Sequence, residues 1–239
     1  MQYKYCGNGN FGTQINKAIF WDFDGTLIYS NESFLDSLTE AFRKYDYVFE
    51  RNILKEFLIS VCSWYAPERE YTETTGELWW KALLDGLQLF CNRQGVKESD
   101  SHLICKQFRE NVINFKYRLY NDTEAILAYC KDKGYDNYIL SNNFPELVGV
   151  IKGFGLDKYI TDCFLSSNIG YEKPRIEIFQ YAVKQAKEPE VCYMIGDNPV
   201  ADMKGGKEAG LQTILVHNTK GNEFADYICE SLTDIKKIL

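Results

Sequence analysis

The sequence predicts an α/β protein: a mostly parallel sheet with helices on its faces, interrupted after its first strand by an inserted helical cap. Three observations carry that expectation. Short apolar runs bounded by polar or glycine signals recur at 18–23, 137–141, 161–166, 191–196, 213–217 and 226–229. Helical patterns fall between the later runs, at about 123–133, 144–153, 175–187 and 199–209. Strands alternating with helices of this length imply right-handed crossovers, hence parallel pairing. Residues 31–118 break the rhythm: Phe34, Leu35, Leu38 and Phe42, then Leu83, Leu84, Leu87 and Phe90, repeat at helical spacing with no clear strand. The expected organisation is an irregular leader over 1–16, an α/β core from 17–30 and 119–239, and a helical cap over 31–118.

The 239 residues are enough for one large domain or a core with a substantial insertion, and 45% hydrophobic against 26% charged residues is ordinary for a globular chain. A net charge of −7 argues against binding nucleic acid by general phosphate neutralisation. The insertion itself carries 12 Lys and Arg against 14 Asp and Glu, so it offers no broadly basic face. Eight scattered cysteines form no CxxC and no zinc-like spacing, and several sit in apolar runs, which reads as buried thiols. No stretch resembles a signal peptide or reaches the length of a membrane span. A reducing cytoplasmic location, without a membrane or nucleic-acid partner, is the expectation.

Taken in order, the elements put chemistry where a parallel sheet collects ligands, at the carboxyl ends of its strands. The first strand closes on "DFDGTL", with Asp22 and Asp24 one residue apart. Two neighbouring carboxylates repel, and neither is easily buried without a compensating cation or proton. Gly25 allows a sharp turn there, and the Thr26 hydroxyl is expected to fix it. The second strand closes on Ser141 and Asn142. Lys173 stands in "GYEKPRIEIF", where a helix begins after the third strand, and "GDNPVAD" supplies Asp197 and Asp202 after the fourth. Carboxylates, a hydroxyl and an ammonium in this array suit phosphoryl transfer: carboxylates bind Mg²⁺, one can attack phosphorus, and another can move a proton.

The ordered motifs "DFDGTL", "LSN", "GYEKPRIEIF" and "GDNPVADMKGGKEAG" resemble those of the haloacid dehalogenase superfamily, in the subgroup whose helical cap lies between the first two motifs. The resemblance covers about residues 18–217 and implies a Rossmann-like core and an Mg²⁺-dependent phosphatase acting on a small phosphorylated metabolite. It makes Asp22 the nucleophile and Asp24 the general acid, then base. Ser141 would hold the phosphoryl group, helped by backbone amides near Asn142 and Phe23, and Lys173 would neutralise charge. The metal would be held by the Asp22 and Asp197 side chains and the Asp24 carbonyl, with Asp202 supporting Lys173 and the metal's surroundings.

Other readings bear on individual residues and on the whole chain. An acid at a helix start, such as Asp202, is favoured by the helix dipole alone. Ser141 could cap the following turn, and His102 and His217 read as structural. Trp64, Tyr65, Tyr71, Trp79 and Trp80 either line a substrate pocket or form the cap's own core, and the core is favoured because large aromatics dominate small helical cores. A phosphomutase is the rival within the fold, but no phosphosugar signature stands in "IYSNESFLDSL". Asp24 supplies the acid that dehalogenases of the family lack. A receiver-like module phosphorylated on aspartate would separate its acid pair from the phosphorylated residue by a βαβ unit and would carry no large cap.

Overall fold

A computed structural model of the protein describes residues 15–239, and its first strand, β1 (Lys17–Trp21), lies in the middle of the sheet. Most of the anticipated leader, residues 1–14, lies outside the described residues. The six strands β1, β2 (Asp136–Ser141), β3 (Ile160–Leu165), β4 (Val191–Gly196), β5 (Gln212–Leu215) and β6 (Tyr227–Ile228) are all parallel, in the order β3-β2-β1-β4-β5-β6. Trp21 pairs with both Ile139 and Ile195. The chain builds outward from β1 through β2 to β3, then returns to the other side of β1 with β4. That reversal makes the end of β1 a switch point, where a crevice opens between diverging connections.

Strand alternation divides the sheet's side chains between two faces. Ala18, Phe20, Tyr138, Leu140 and Met194 pack with Ile178, Phe179 and Ala182 of α8 (Ile176–Gln185). Ile19, Trp21, Ile139 and Ile195 join the larger cluster with Ile126 and Leu127 of α5 (Thr123–Asp132) and Ile151 of α6 (Leu147–Gly153). The anticipated helix over 144–153 loses its first turn because residues 142–146 hold a loop on the crevice. The anticipated helix over 199–209 becomes a π-helical turn, Pro199–Lys204, running into α9 (Gly205–Glu208). Asn198 caps that turn by accepting hydrogen bonds from the Val200 and Ala201 amides, both at 2.9 Å. A short helix, α7 (Ser166–Ile169), follows β3 at once and was not anticipated.

Between β1 and α5 lie α1 (Ser33–Arg43), α2 (Arg51–Val61), α3 (Glu77–Arg93) and α4 (Glu98–Ile113), with no strand among the described residues there. Their apolar faces are continuous with the larger core rather than sealed from it: Leu38, Leu87 and Phe108 belong to the same buried cluster as Trp21. At the seam, the Phe34 ring lies 6.2 Å from Trp80, 5.9 Å from Phe108 and 6.1 Å from Phe144, which follows β2. Trp80 Nε1 donates to Glu146 at 2.7 Å, and Arg109 bridges Glu146 and Glu77.

A second joint involves the loop before α3. The Tyr71 amide donates to the Gly170 carbonyl at 2.9 Å, and the Gly76 amide to the Ser167 carbonyl at 2.8 Å. Gly170 has φ +91°, and a Cβ there would lie 2.6 Å from Thr72 Cα. Below this strap, Glu172 is fully buried and accepts hydroxyl hydrogen bonds from Ser63 and Tyr71, both at 2.5 Å. Its other carboxylate oxygen is buried without a partner. No described helix is long and apolar enough to cross a membrane.

Candidate active site

The chain leaves β1 through a tight turn in which the Leu27 and Ile28 amides both donate to the Phe23 carbonyl, at 3.0 and 3.1 Å. Asp22 remains in the sheet, its amide donating to the Ile195 carbonyl at 2.9 Å, while Asp24 is already in the turn. Gly25 has φ +80°, and a Cβ there would lie 2.4 Å from an Asp197 carboxylate oxygen. Glycine is therefore needed twice over, for the left-handed backbone and for the approach of Asp197. The Thr26 hydroxyl does not fix its own turn as anticipated. It donates to Asp197 Oδ1 at 3.2 Å and so ties the ends of β1 and β4 together.

Asp22, Asp24, Ser141, Asn142, Lys173, Asp197 and Asp202 all line one cavity of about 560 Å³ at this switch point. The Lys173 ammonium is buried between two carboxylates, 2.9 Å from Asp22 and 2.5 Å from Asp202. Burial pulls its pKa down, but Asp202 and Asp22 outweigh that and carry it above the ordinary lysine value. Asp202 also accepts the Asn198 amide at 3.0 Å, so both of its oxygens are engaged. Asn142 grips Lys173 at its backbone, accepting from its amide at 2.7 Å and donating to its carbonyl at 3.0 Å. Phe23, whose backbone was expected to help hold the phosphoryl group, is wholly buried, its ring edge-on to Tyr117, and is not among the residues lining the cavity.

Asp24 has different partners. Asn31 and Asn143 each donate one amide hydrogen bond to its carboxylate, at 2.7 and 2.6 Å. Burial and then the Asp22 charge raise its pKa to about 6, although Asn31 and Asn143 favour the ionised form. Asp197 is pushed to about 7 by burial and by the charges of Asp22 and Asp202. Neither amide partner was anticipated. Asn143 stands two residues after Ser141 and Asn31 seven after Asp24, positions that polar loop residues fill for many reasons.

The donor set fits a divalent cation. Asp22, Asp197 and Asp202 each offer an oxygen within 4.8 Å of the others, and burial first, then the Asp22 and Asp202 charges, work against an ionised Asp197 that has no cation beside it among the described residues. Hard carboxylate oxygens are the ligands magnesium prefers. With both Asp202 oxygens engaged, Asp22 and Asp197 are the side chains free to serve.

The cap's aromatics divide. Trp79 and Trp80 are buried as expected, but Trp64 and Tyr65 face the cavity and Tyr71 turns to Glu172. His217 is structural, with Nε2 2.9 Å from the Thr26 carbonyl and its ring stacked on Tyr120.

A parallel sheet with an acid-rich crevice at its switch point, covered by inserted helices, defines a class of α/β hydrolases. The chain belongs to the haloacid dehalogenase-like hydrolase family, whose model matches residues 16–210. It is 32% identical over 124 residues to a phosphoserine phosphatase of Thermus thermophilus, a match covering 51% of this chain and 49% of that protein. Over 131 residues it is 28% identical to a glyceraldehyde 3-phosphate phosphatase of Methanothermobacter thermautotrophicus, covering 52% of this chain and 58% of that one. The chain thus spans about half the length of these curated relatives. In fold it is similar to the crystal structure of the HAD-hydrolase YfnB from Bacillus subtilis bound to magnesium, with TM-score 0.67 and 19% identity over 95% of this chain and 99% of that one.

Proposed function

We propose that the chain is an Mg²⁺-dependent phosphatase that hydrolyses small phosphomonoesters through an aspartyl phosphate on Asp22. The observation that carries this reading is the unequal environment of the two acids. Asp22 lies against a buried ammonium, which favours a carboxylate nucleophile, whereas Asp24 is raised to about 6, where it can hold or release a proton near neutrality.

An Asp22 oxygen attacks phosphorus as the bond to the leaving oxygen breaks, and Asp24 gives its proton to that oxygen. Asp24, now a carboxylate, takes a proton from water as the water oxygen attacks phosphorus. The bond from phosphorus to Asp22 breaks, which releases phosphate and restores both acids. Ser141 donates to a phosphoryl oxygen, and Lys173 neutralises charge on the nucleophile and the phosphoryl group. Asn142 fixes Lys173 through its backbone, and Asp202 fixes the ammonium. The Asp22 and Asp197 side chains and the Asp24 carbonyl would hold Mg²⁺, which when bound would supply positive charge against the repulsion between two anions.

A metabolite-sized substrate suits a cavity of about 560 Å³, and the acidic chain offers no field for nucleic acid. Free thiols at all seven described cysteines agree with a reducing cytoplasm. The test is trapping with beryllium fluoride and Mg²⁺. The adduct forms on Asp22 in the unaltered chain, chelator abolishes turnover, and Asp22→Asn and Asp24→Asn each remove it. Full activity after exhaustive chelation, or near-normal turnover by Asp22→Asn, overturns the reading.

A further inference from the structure

The cavity is lined from two sides. One holds the acids, Ser141 and Lys173. The other, from α1, α2 and the loop after α2, carries the aromatic rings of Phe34, Trp64 and Tyr65, with Glu32, Ser33 and Lys55 beside them. We infer that the substrate is a phosphomonoester whose alcohol half carries a flat, uncharged ring, an aryl group or a nucleobase, seated among Phe34, Trp64 and Tyr65; this rests on the phosphatase reading of the same site.

Charge supports the inference first. Among the described residues, the only cations lining the cavity are Lys173 and Lys55. Lys173 is committed to Asp22 and Asp202, and Lys55 is half-exposed, 3.9 Å from a Glu32 carboxylate that Arg51 pairs at 2.7 Å. A second anionic group on the substrate, such as a carboxylate or another phosphate, would meet the Glu32 charge there and, in return, only a lysine screened by water.

Shape and polarity point the same way. An aryl ring or nucleobase laid against Phe34, Trp64 and Tyr65 removes apolar area from water, whereas a sugar or polyol alone has no such face to bury. The ring faces are well fixed: Trp64 meets Phe34 edge-on at 4.9 Å, and Phe34 is backed by Trp80, Phe108 and Phe144. Tyr65 lies 6.1 Å from Trp64 and is 49% exposed, so its ring is free to close on a ligand. A cavity of about 560 Å³ is of the size that encloses small molecules of this kind.

The test measures kcat/KM with Mg²⁺ for benzyl phosphate, uridine and adenosine 5′-monophosphates, phosphoserine, phosphoglycolate and glucose 6-phosphate, with acetyl phosphate as a ringless reference. Benzyl and nucleoside esters leave as alkoxides, as sugars do, so intrinsic reactivity does not favour them. At least one ring ester exceeds every polar or doubly charged substrate by about ten-fold or more. Benzyl phosphate against the nucleotides distinguishes the two sources of the ring. In Trp64→Ala, and separately in Tyr65→Ala, the ratio of kcat/KM for the favoured ring ester to that for acetyl phosphate falls about ten-fold. Turnover led by phosphoserine, phosphoglycolate or glucose 6-phosphate, or an unchanged ratio in both variants, overturns this inference and leaves the phosphatase reading standing. No turnover of any compound, acetyl phosphate included, overturns the phosphatase reading itself.

Discussion

Asp24 is balanced between opposing influences, and the balance is open to measurement. Burial and the Asp22 charge raise its pKa, while the amides of Asn31 and Asn143 lower it. Removing Asn143 by Asn143→Ala takes away a donor to the carboxylate, so the pKa rises further. The first chemical step needs Asp24 protonated, so kcat/KM falls as pH climbs through its pKa. In the variant that falling limb moves up by about one to two pH units, because a hydrogen bond to a charged group is worth roughly 1.5–3 kcal/mol. An unmoved limb would detach Asn143 from proton transfer. The acids, Lys173 and Ser141 were visible in the sequence because the chemistry calls for those residue types at strand ends and at the helix starts that follow them. Asn31 and Asn143 were not, since an amide in a polar loop reads as turn chemistry until its partner is known.

The strap from Tyr71 to Gly76 works as an element, and its glycine contact and buried acid make separate predictions. Gly170→Ala places a methyl group against the Thr72 backbone at a left-handed φ, so it destabilises the fold by about 1–3 kcal/mol, read as a lower Tm or denaturation midpoint. Glu172 behaves differently. Burial raises its pKa above the ordinary 4.5, against the hydrogen bonds from Ser63 and Tyr71 that lower it. The folded chain therefore holds a proton that the unfolded chain has lost, and this group's contribution to stability falls as pH rises from about 4.5 through the folded value. Glu172→Gln removes that slope, so unfolding free energies across the range should depend less on pH than in the unaltered chain. An equal slope in both would mean that Glu172 ionises normally in the folded state. Hydrophobic period revealed the helices on either side of this strap but not the strap itself, because 66–76 carries no repeat for a pattern to catch.

The molecule as a whole concentrates negative charge at one point and leaves it partly uncompensated. Asp197→Asn should raise Tm in the absence of metal by relieving repulsion, and should abolish the increase that Mg²⁺ gives the unaltered chain by binding its folded state. A metal-induced shift that survives the substitution would move the ion elsewhere. The parallel sheet and the inserted helices were legible because strand and helix periods differ and the insertion interrupts their alternation. How the cap meets the core was not, because Phe34, Trp80 and Phe144 are apolar in either arrangement and only the folded chain brings them together. That shared aromatic interior bears on turnover. If the lid must lift to admit substrate, parting Phe34 and Trp80 from Phe144 wets surface that is otherwise dry, and opening acquires a positive heat capacity. Where opening limits the rate, its dependence on temperature would trace a curve rather than a straight Arrhenius line.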